Sequence, residues 1–430
     1  MTGGPTGRPN TENLMKRVVI TGLGTVNPLG LTVADYWANL AAGQSGITSN
    51  TRFDASTYSS RIAGLVPDFD HVPLFKDAKM AKRLDKAIIY GVVAGNEAVK
   101  DSGLLEQGEG GYDAARVGVY LGSGMGGVGT FESETEVKVT RGHKRITPFF
   151  IPMILPNTAS GYLSIEHGFM GPNYTAVSAC ASANHAMGEA FHAIQRGDAD
   201  VIFAGGTEAA VTEVVVAGFA NMKALSGRND DPEGASRPWD KDRDGFVIAE
   251  GAAVLCLEEL EHARRRGAKI YAEFAGFGQS SDGYHITAPH PEGAGGALAM
   301  KAALRSARLN PEDIDLVNAH GTSTPLGDLG ETMGVKKCFG AHAKKLMMHS
   351  TKSMIGHTLG AAGAVEAVAA LMAFERGVVH PTRNLHEASP ECDLDYVPHT
   401  AREAKVRAVL SNSFGFGGHN ATVILKAFQG

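Results

Sequence analysis

Short apolar runs ending in glycine or a small polar residue recur along the chain: Val18 to Gly22, Val117 to Gly122, Val201 to Gly205, Asp315 to Asn318 and Ala408 to Ser411. Between them lie Ala-rich stretches with apolar positions at helical spacing, among them Ala81 to Val99 and Ala297 to Ala307. Uninterrupted apolar strands predict sheets buried on both faces, and their alternation with helices predicts α/β layering. Two helical stretches echo each other. Residues 181–196 carry Ala183, Ala186, Met187, Ala190, Phe191 and Ile194 on one stripe and stop at Gly197. Residues 359–376 carry Leu359, Ala362, Val365, Ala369 and Met372 and stop at Gly377. In both, glycine suits the left-handed helix end. Cys180 precedes the first helix and His357 the second. Either the chain holds two related, pseudo-twofold halves, or two Ala-rich helices resemble each other by composition alone.

Composition narrows the class. A chain of 430 residues exceeds what one hydrophobic core usually supports, so two lobes or a fused pair of domains is expected. With 43% apolar and 20% charged residues, and no run near the roughly 18 apolar residues of a membrane span, it reads as a soluble globular protein with no membrane segment. A net charge of −6 argues against nucleic acid as a partner. The cysteines Cys180, Cys256, Cys338 and Cys392 form no CxxC pair, which argues against a disulfide framework or a metal site and for a reducing compartment. Residues 1–14 are polar and rich in Gly, Pro and Thr, and are expected to form a disordered tail without a signal sequence.

Four stretches carry candidate chemistry. In Ser178-Ala-Cys-Ala-Ser182 the thiol sits at a helix entrance, where free N–H groups and the macrodipole favour a thiolate by roughly 0.3–1 kcal/mol. The bland alternative is a small buried hydrophobe. Asn318-Ala-His-Gly-Thr-Ser-Thr-Pro-Leu-Gly-Asp328 sets His320 at a strand end before a hydroxyl-rich loop, a cradle for a polar substrate or simply a turn with a satisfied histidine. Ser350 to Glu366 places His357 before a nearly side-chain-free helix start. Lys352 and Glu366 are the opposite charges there: a buried pair, or a surface ion pair of little value. Ser411-Asn-Ser-Phe-Gly-Phe-Gly-Gly-His-Asn420 interleaves glycine with Phe414 and Phe416, as an apolar gate or a plain glycine-rich hairpin. Gly122-Ser-Gly-Met-Gly-Gly127 matches GxGxxG, but no acidic residue ends a second strand about twenty residues on. The next β-like run, Ile146 to Ile151, is interrupted by proline, so no dinucleotide cofactor is expected.

Taken in order, these motifs, with Arg237-Pro-Trp-Asp-Lys-Asp-Arg-Asp-Gly-Phe246, make the chain from about residue 15 onward similar to the β-ketoacyl-[acyl-carrier-protein] synthases of class II, members of the thiolase-like condensing enzymes. The resemblance implies a thiolase-like five-layer αβαβα α/β fold of two pseudo-twofold-related halves, residues 15–265 with the nucleophilic cysteine and 266–430 with the two histidines. It implies a cytoplasmic, cofactor-independent homodimer of fatty acid biosynthesis. Its partner is an acyl carrier protein in acyl and malonyl forms. The implied reaction is a decarboxylative Claisen condensation. Cys180 holds the acyl group, His320 and His357 donate hydrogen bonds to the enolate, and Lys352 and Glu366 organise the histidine side. The N–H groups of Cys180 and Phe414 form the oxyanion hole, and Phe414 is the gate. The resemblance assigns Thr322, Thr324 and Thr287 to the pantetheine tunnel, Met125 and Phe416 to the substrate lining, and Lys79, Lys82, Arg83 and Lys223 to the carrier-protein surface. A solvated charged helix face is the alternative for Lys79, Lys82 and Arg83.

The chain departs from that pattern at Ala183 and Asn184, where glycine is usual at the first, at Met125, where isoleucine is common, and at Ala249. Rival readings within the fold are a thiolase or a polyketide-type ketosynthase. Cys392, the late cysteine a thiolase would need, is not in a glycine-rich setting. A non-catalytic partner subunit would lack the nucleophile.

Overall fold

The computed structural model describes residues 15–107 and 111–430; the N-terminal tail expected at residues 1–14 lies outside them. Ten strands build the main sheet: β1 (Val18–Val26), β2 (Val117–Gly122), β3 (Asn173–Tyr174), β4 (Val201–Glu208), β5 (Gly251–Glu259), β6 (Ala272–Ser281), β7 (Leu316–Asn318), β8 (Met347–His349), β9 (Ala408–Gly415) and β10 (His419–Ala427). Their order across the sheet is β8-β7-β9-β10-β6-β1-β5-β4-β2-β3.

That order is a repeat. From β1 outward the pairings run antiparallel to β5, antiparallel to β4, parallel to β2 and parallel to β3. From β6 outward they run antiparallel to β10, antiparallel to β9, parallel to β7 and parallel to β8. In each set of five the first strand pairs with the fifth, the fifth with the fourth, the fourth with the second and the second with the third. The two sets meet along a short antiparallel seam, where Val18, Val19 and Ile20 face Phe274, Glu273 and Ala272.

Helices complete five layers. Helix α1 (Lys86–Ser102) covers β1, β5 and β4 on one outer face. Helices α3 (Ala294–Ala307) and α4 (Pro325–Phe339) share a core with β7, β9 and β10 on the other. Between the half-sheets lie α2 (Ser182–Arg196) and α5 (Ala362–Arg376), each touching strands of both halves. Every residue of α5 from Ala362 to Ala373 is buried. A helix can be buried all round only if its side chains are apolar all round and small where backbones approach, and the run Ala-Gly-Ala-Val-Glu-Ala-Val-Ala-Ala meets that demand except at Glu366. The largest apolar cluster joins residues of α2, α5 and both half-sheets.

The structure corrects two expectations. Residues 146–151 hold no strand: a short turn of helix spans His143–Arg145 and a helix Phe150–Ile154 follows. The counterpart of Cys180 in the second half is not His357. A tight turn at Ala179–Ala181 leads into α2, which ends at left-handed Gly197, and a matching turn at Leu359–Ala361 leads into α5, which ends at left-handed Gly377. Ala179 and Leu359 open these turns with positive φ of 49° and 48°. The register sets Cys180 against Gly360.

Candidate active site

Cys180 lies in the turn before α2 as a half-buried residue. The turn is pressed against the β9–β10 hairpin. A Cβ on Gly415 would come within 2.6 Å of the Ser178 carbonyl and 3.2 Å of the Cys180 nitrogen, so only glycine fits there. This contact brings the backbone N–H of Phe416 to the Cys180 thiol, beside the N–H of Cys180 itself. The second donor is therefore that of Phe416, two residues beyond the Phe414 expected from sequence. Phe414 instead places its ring 5.7 Å from that of His320, centroid to centroid.

His320 follows β7. Its N–H and that of Gly321 donate to Glu331 on α4 at 2.9 and 2.8 Å, and Asn412 Nδ2 donates to the same carboxylate at 3.0 Å. His357 is held through its backbone: its N–H donates to Val247 O at 2.7 Å, and its carbonyl accepts from Ala249 N–H at 2.9 Å. The two imidazoles meet edge to face, centroids 5.2 Å apart. One side-chain atom each of Cys180, His320 and His357 lies within 4.8 Å of the others. Such a trio could meet on one soft metal ion. However, His320 Nδ1 and His357 Nδ1 have no hydrogen-bond partner, so the outer contact that normally fixes a metal-bound imidazole is missing.

The electrostatics follow from burial. Burial holds the His320 imidazole well below its usual 6.5, helped by the Lys352 ammonium and by His357. Burial and Lys352 act alike on His357. Both rings are neutral near pH 7. Burial pushes the Cys180 thiol up to about 12, the Lys352 ammonium pulling down, Glu208 pushing up and the two N–H groups pulling down. The helix entrance expected to favour the thiolate is outweighed, and the resting thiol is protonated. Lys352 donates to Glu366 Oε1, and both side chains are 1% exposed, so this is no surface ion pair. Burial pushes the Glu366 carboxyl up to about 7 against the pull of Lys352.

A single cavity of about 530 Å³ gathers these groups. Cys180, His320, His357, Phe414, Phe416 and Met125 line it, as do Thr287, Thr322, Thr324 and Lys223. Met125 belongs to an apolar cluster with Phe219, Phe246, Leu359 and the side chain of Cys180. Thr322 and Thr324 hydrogen-bond to each other at 2.9 Å in the same lining. Lys352 and Glu366 stand behind the histidines, outside the lining. Lys79, Lys82 and Arg83 are exposed around the short helix Ala78–Ala81 and do not line the cavity; Arg83 lies 4.5 Å over the Phe149 ring. Ala183 and Asn184 do not line it either: Asn184 Nδ2 donates to Ser411 O and Ala421 O, tying α2 to the β9–β10 hairpin.

Sequence reasoning missed Glu331, which anchors His320, and Glu208, fully buried beside Cys180. Glu331 lies eleven residues after His320 on the next helix, and the acids Asp328 and Glu331, three residues apart on one face of it, were the available signal. Glu208 ends β4 after Gly205-Gly-Thr207, and nothing local marks it as buried.

The model of the beta-ketoacyl synthase N-terminal domain matches residues 15–263, and that of the C-terminal domain matches residues 271–386. A relative from Synechocystis sp., named 3-oxoacyl-[acyl-carrier-protein] synthase 2, is 49% identical over 96% of this chain and 99% of its own. A relative of the same name from Coxiella burnetii is 50% identical over 96% of this chain and 98% of its own. Among solved structures, a beta-ketoacyl synthase from Burkholderia phymatum superposes with a TM-score of 0.89 at 36% identity, covering 96% of this chain and all (100%) of that one. The ketosynthase complex of a type II polyketide acyl-carrier protein gives 0.87 at 31% identity, with the same coverage. Two matched domain models, relatives near half identity along almost the whole length, and a cysteine facing two neutral histidines lead to one conclusion: this chain belongs to the beta-ketoacyl synthase family.

Proposed function

We propose that this chain condenses an acyl group held on Cys180 with a malonyl group delivered by an acyl carrier protein, lengthening a fatty acyl chain by two carbons. The observation that carries the reading is the convergence of Cys180, two neutral imidazoles and two backbone N–H groups on one cavity.

In the first step the Cys180 sulfur attacks the acyl thioester, the carrier thiolate leaves, and the thiol proton ends on the carrier. The oxyanion formed sits on the N–H groups of Cys180 and Phe416. In the second, a malonyl thioester binds with its carbonyl toward His320 and His357. Loss of carbon dioxide leaves an enolate whose oxygen accepts from both imidazole N–H groups. The carbanion attacks the acyl-Cys180 carbonyl, the tetrahedral oxyanion collapses, and the Cys180 thiolate leaves and takes up one proton. The balance needs no cofactor. Neutral imidazoles serve because they donate without an acidic proton to lose, and preorganised donors of this kind are worth roughly 3–4 kcal/mol each. The Lys352 ammonium, behind both rings, lowers the basicity of each and keeps it an N–H donor.

Several features support the partner assignments. The relatives are named for acyl-carrier-protein substrates, and Lys223 at the cavity edge offers positive charge to an acidic carrier. The more distant Lys79, Lys82 and Arg83 would extend that surface. We read residues 15–265 and 266–430 as the two halves. Exposed Phe131, Ile151 and Met170, with Tyr174 on the free edge of the sheet, support a homodimer. Among the described residues no helix is long and apolar enough to cross a membrane, and free cysteines accord with the cytoplasm. The thiolase alternative lacks a second thiol: Cys392 is packed in the outer core beside Thr332, away from the cavity.

The test is to separate the half-reactions. His320→Ala and His357→Ala are each expected to slow malonyl decarboxylation by about a hundredfold or more while Cys180 still takes up an acyl group. Unchanged decarboxylation in either variant removes that histidine from the mechanism.

A further inference from the structure

The mechanism above leaves one buried carboxylate beside the nucleophile unused. Glu208, at the end of β4, is 0% exposed and lines the same cavity as Cys180 and Met125. Its Oε1 accepts from Met125 N–H at 3.1 Å and from Ser123 Oγ at 3.2 Å. Its Oε2 accepts from Gly124 N–H at 2.7 Å and Gly360 N–H at 3.0 Å. Four donors satisfy this carboxylate in place of water.

The donors come from opposite halves of the molecule. Ser123 to Met125 follow β2, whereas Gly360 lies in the turn before α5. Gly360 is also the second-half counterpart of Cys180. The N–H that at Cys180 faces the reacting centre is at Gly360 taken up by Glu208. Nothing else fits between the two backbones: a Cβ on Gly360 would stand 2.6 Å from Glu208 Oε2, and one on Gly124 would stand 2.8 Å from it. Met125 is thus anchored through its own N–H, and its side chain faces the apolar cluster that shields Cys180.

We propose that Glu208 is a positioning residue for acyl transfer: by tying the Ser123–Met125 wall to the Gly360 turn it fixes the shape of the acyl cavity and so sets which acyl lengths Cys180 accepts. This rests on the ketosynthase reading. The carboxylate acts through Met125 and touches no reacting atom. A wall held from both halves cannot yield to a longer chain or close on a shorter one, whereas a released wall can do both.

Glu208→Gln is the decisive variant. It keeps the shape, but its amide NH2 must oppose either the Met125 N–H or the N–H groups of both Gly124 and Gly360, depending on which way it turns. Initial rates of Cys180 acylation are measured by intact mass with acyl-pantetheine thioesters from butyryl to palmitoyl. The ratio between the best and poorest substrates is expected to fall by about fivefold or more, since pocket discrimination per methylene is of that order. Glu208→Asp, which keeps the carboxylate, should recover part of the selectivity. An unchanged profile, or a uniform fall at all lengths, overturns the proposal, because a purely structural role scales every length alike. If Glu208→Gln does not fold, Ser123→Ala removes one donor and is expected to flatten the profile by about twofold, with an unchanged profile again overturning it. The parent protein separates the two readings. If it takes no acyl group on Cys180, the ketosynthase reading fails; if it does and the variants match its profile, only this inference fails.

Discussion

At Cys180 the helix entrance is visible in sequence, but its effect on the thiol is not. The N-terminal dipole contributes roughly 1 kcal/mol, and burial outweighs it, so the thiol rests protonated, pushed up to about 12. Charge is therefore generated at Cys180 as the acyl group arrives, where two N–H groups already wait. Which phenylalanine supplies the second N–H was not legible either. Phe414 and Phe416 differ by two positions in a glycine-rich run, and only the packing of Gly415 on Ser178 decides between them. The histidines carry a sharper expectation. Both are held well below 6.5, so each is already neutral below that pH and stays a donor above it. Malonyl decarboxylation by the Cys180→Ala variant should not fall as pH rises through about 6.5. A rate falling as pH rises through about 6.5 would show that imidazolium is the working form.

At the scale of elements, α5 shows what a pattern can and cannot say. Its small residues and its stop at Gly377 were plain, and they predicted a helix in close contact with other backbones. They did not decide whether Lys352 and Glu366 form a surface pair, because that depends on what covers the helix. Both half-sheets cover it, and the pair is buried. Replacing one partner strands the other charge, so Lys352→Met and Glu366→Leu are each expected to cost about 3–5 kcal/mol in denaturant unfolding. The double variant should cost markedly less than the sum. Additive losses would mean that the pair does not interact.

For the whole molecule, five of the ten main-sheet strands were legible as apolar runs, and so was the echo of α2 in α5. Three of the others were hidden for physical reasons, whereas β5 and β10 carry apolar runs as clear as those five and were simply not singled out. β3 and β8 span only two and three residues, and β6 is interrupted by Gly276 and Gly278, where α3 comes so close that a Cβ would meet its carbonyls. The register of the repeat was hidden too, since the second half has glycine where the first has its nucleophile. Because α2 and α5 are shared by both half-sheets, the halves should not unfold separately. Thermal unfolding followed by far-ultraviolet circular dichroism and by tryptophan fluorescence, which reports Trp37 in the first half and Trp239 against the core of the second, should give one coincident transition. Two separated transitions would contradict a common core.

The division of labour between Cys180 and the two histidines is tested most directly by peptide mass spectrometry after incubation with an acyl-carrier thioester. The acyl mass is expected on the peptide containing Cys180, and absent from the Cys180→Ala variant, which should still release carbon dioxide from a malonyl thioester. An acyl group on any other residue, or a parent protein that decarboxylates malonyl thioester but never acylates Cys180, would contradict the account.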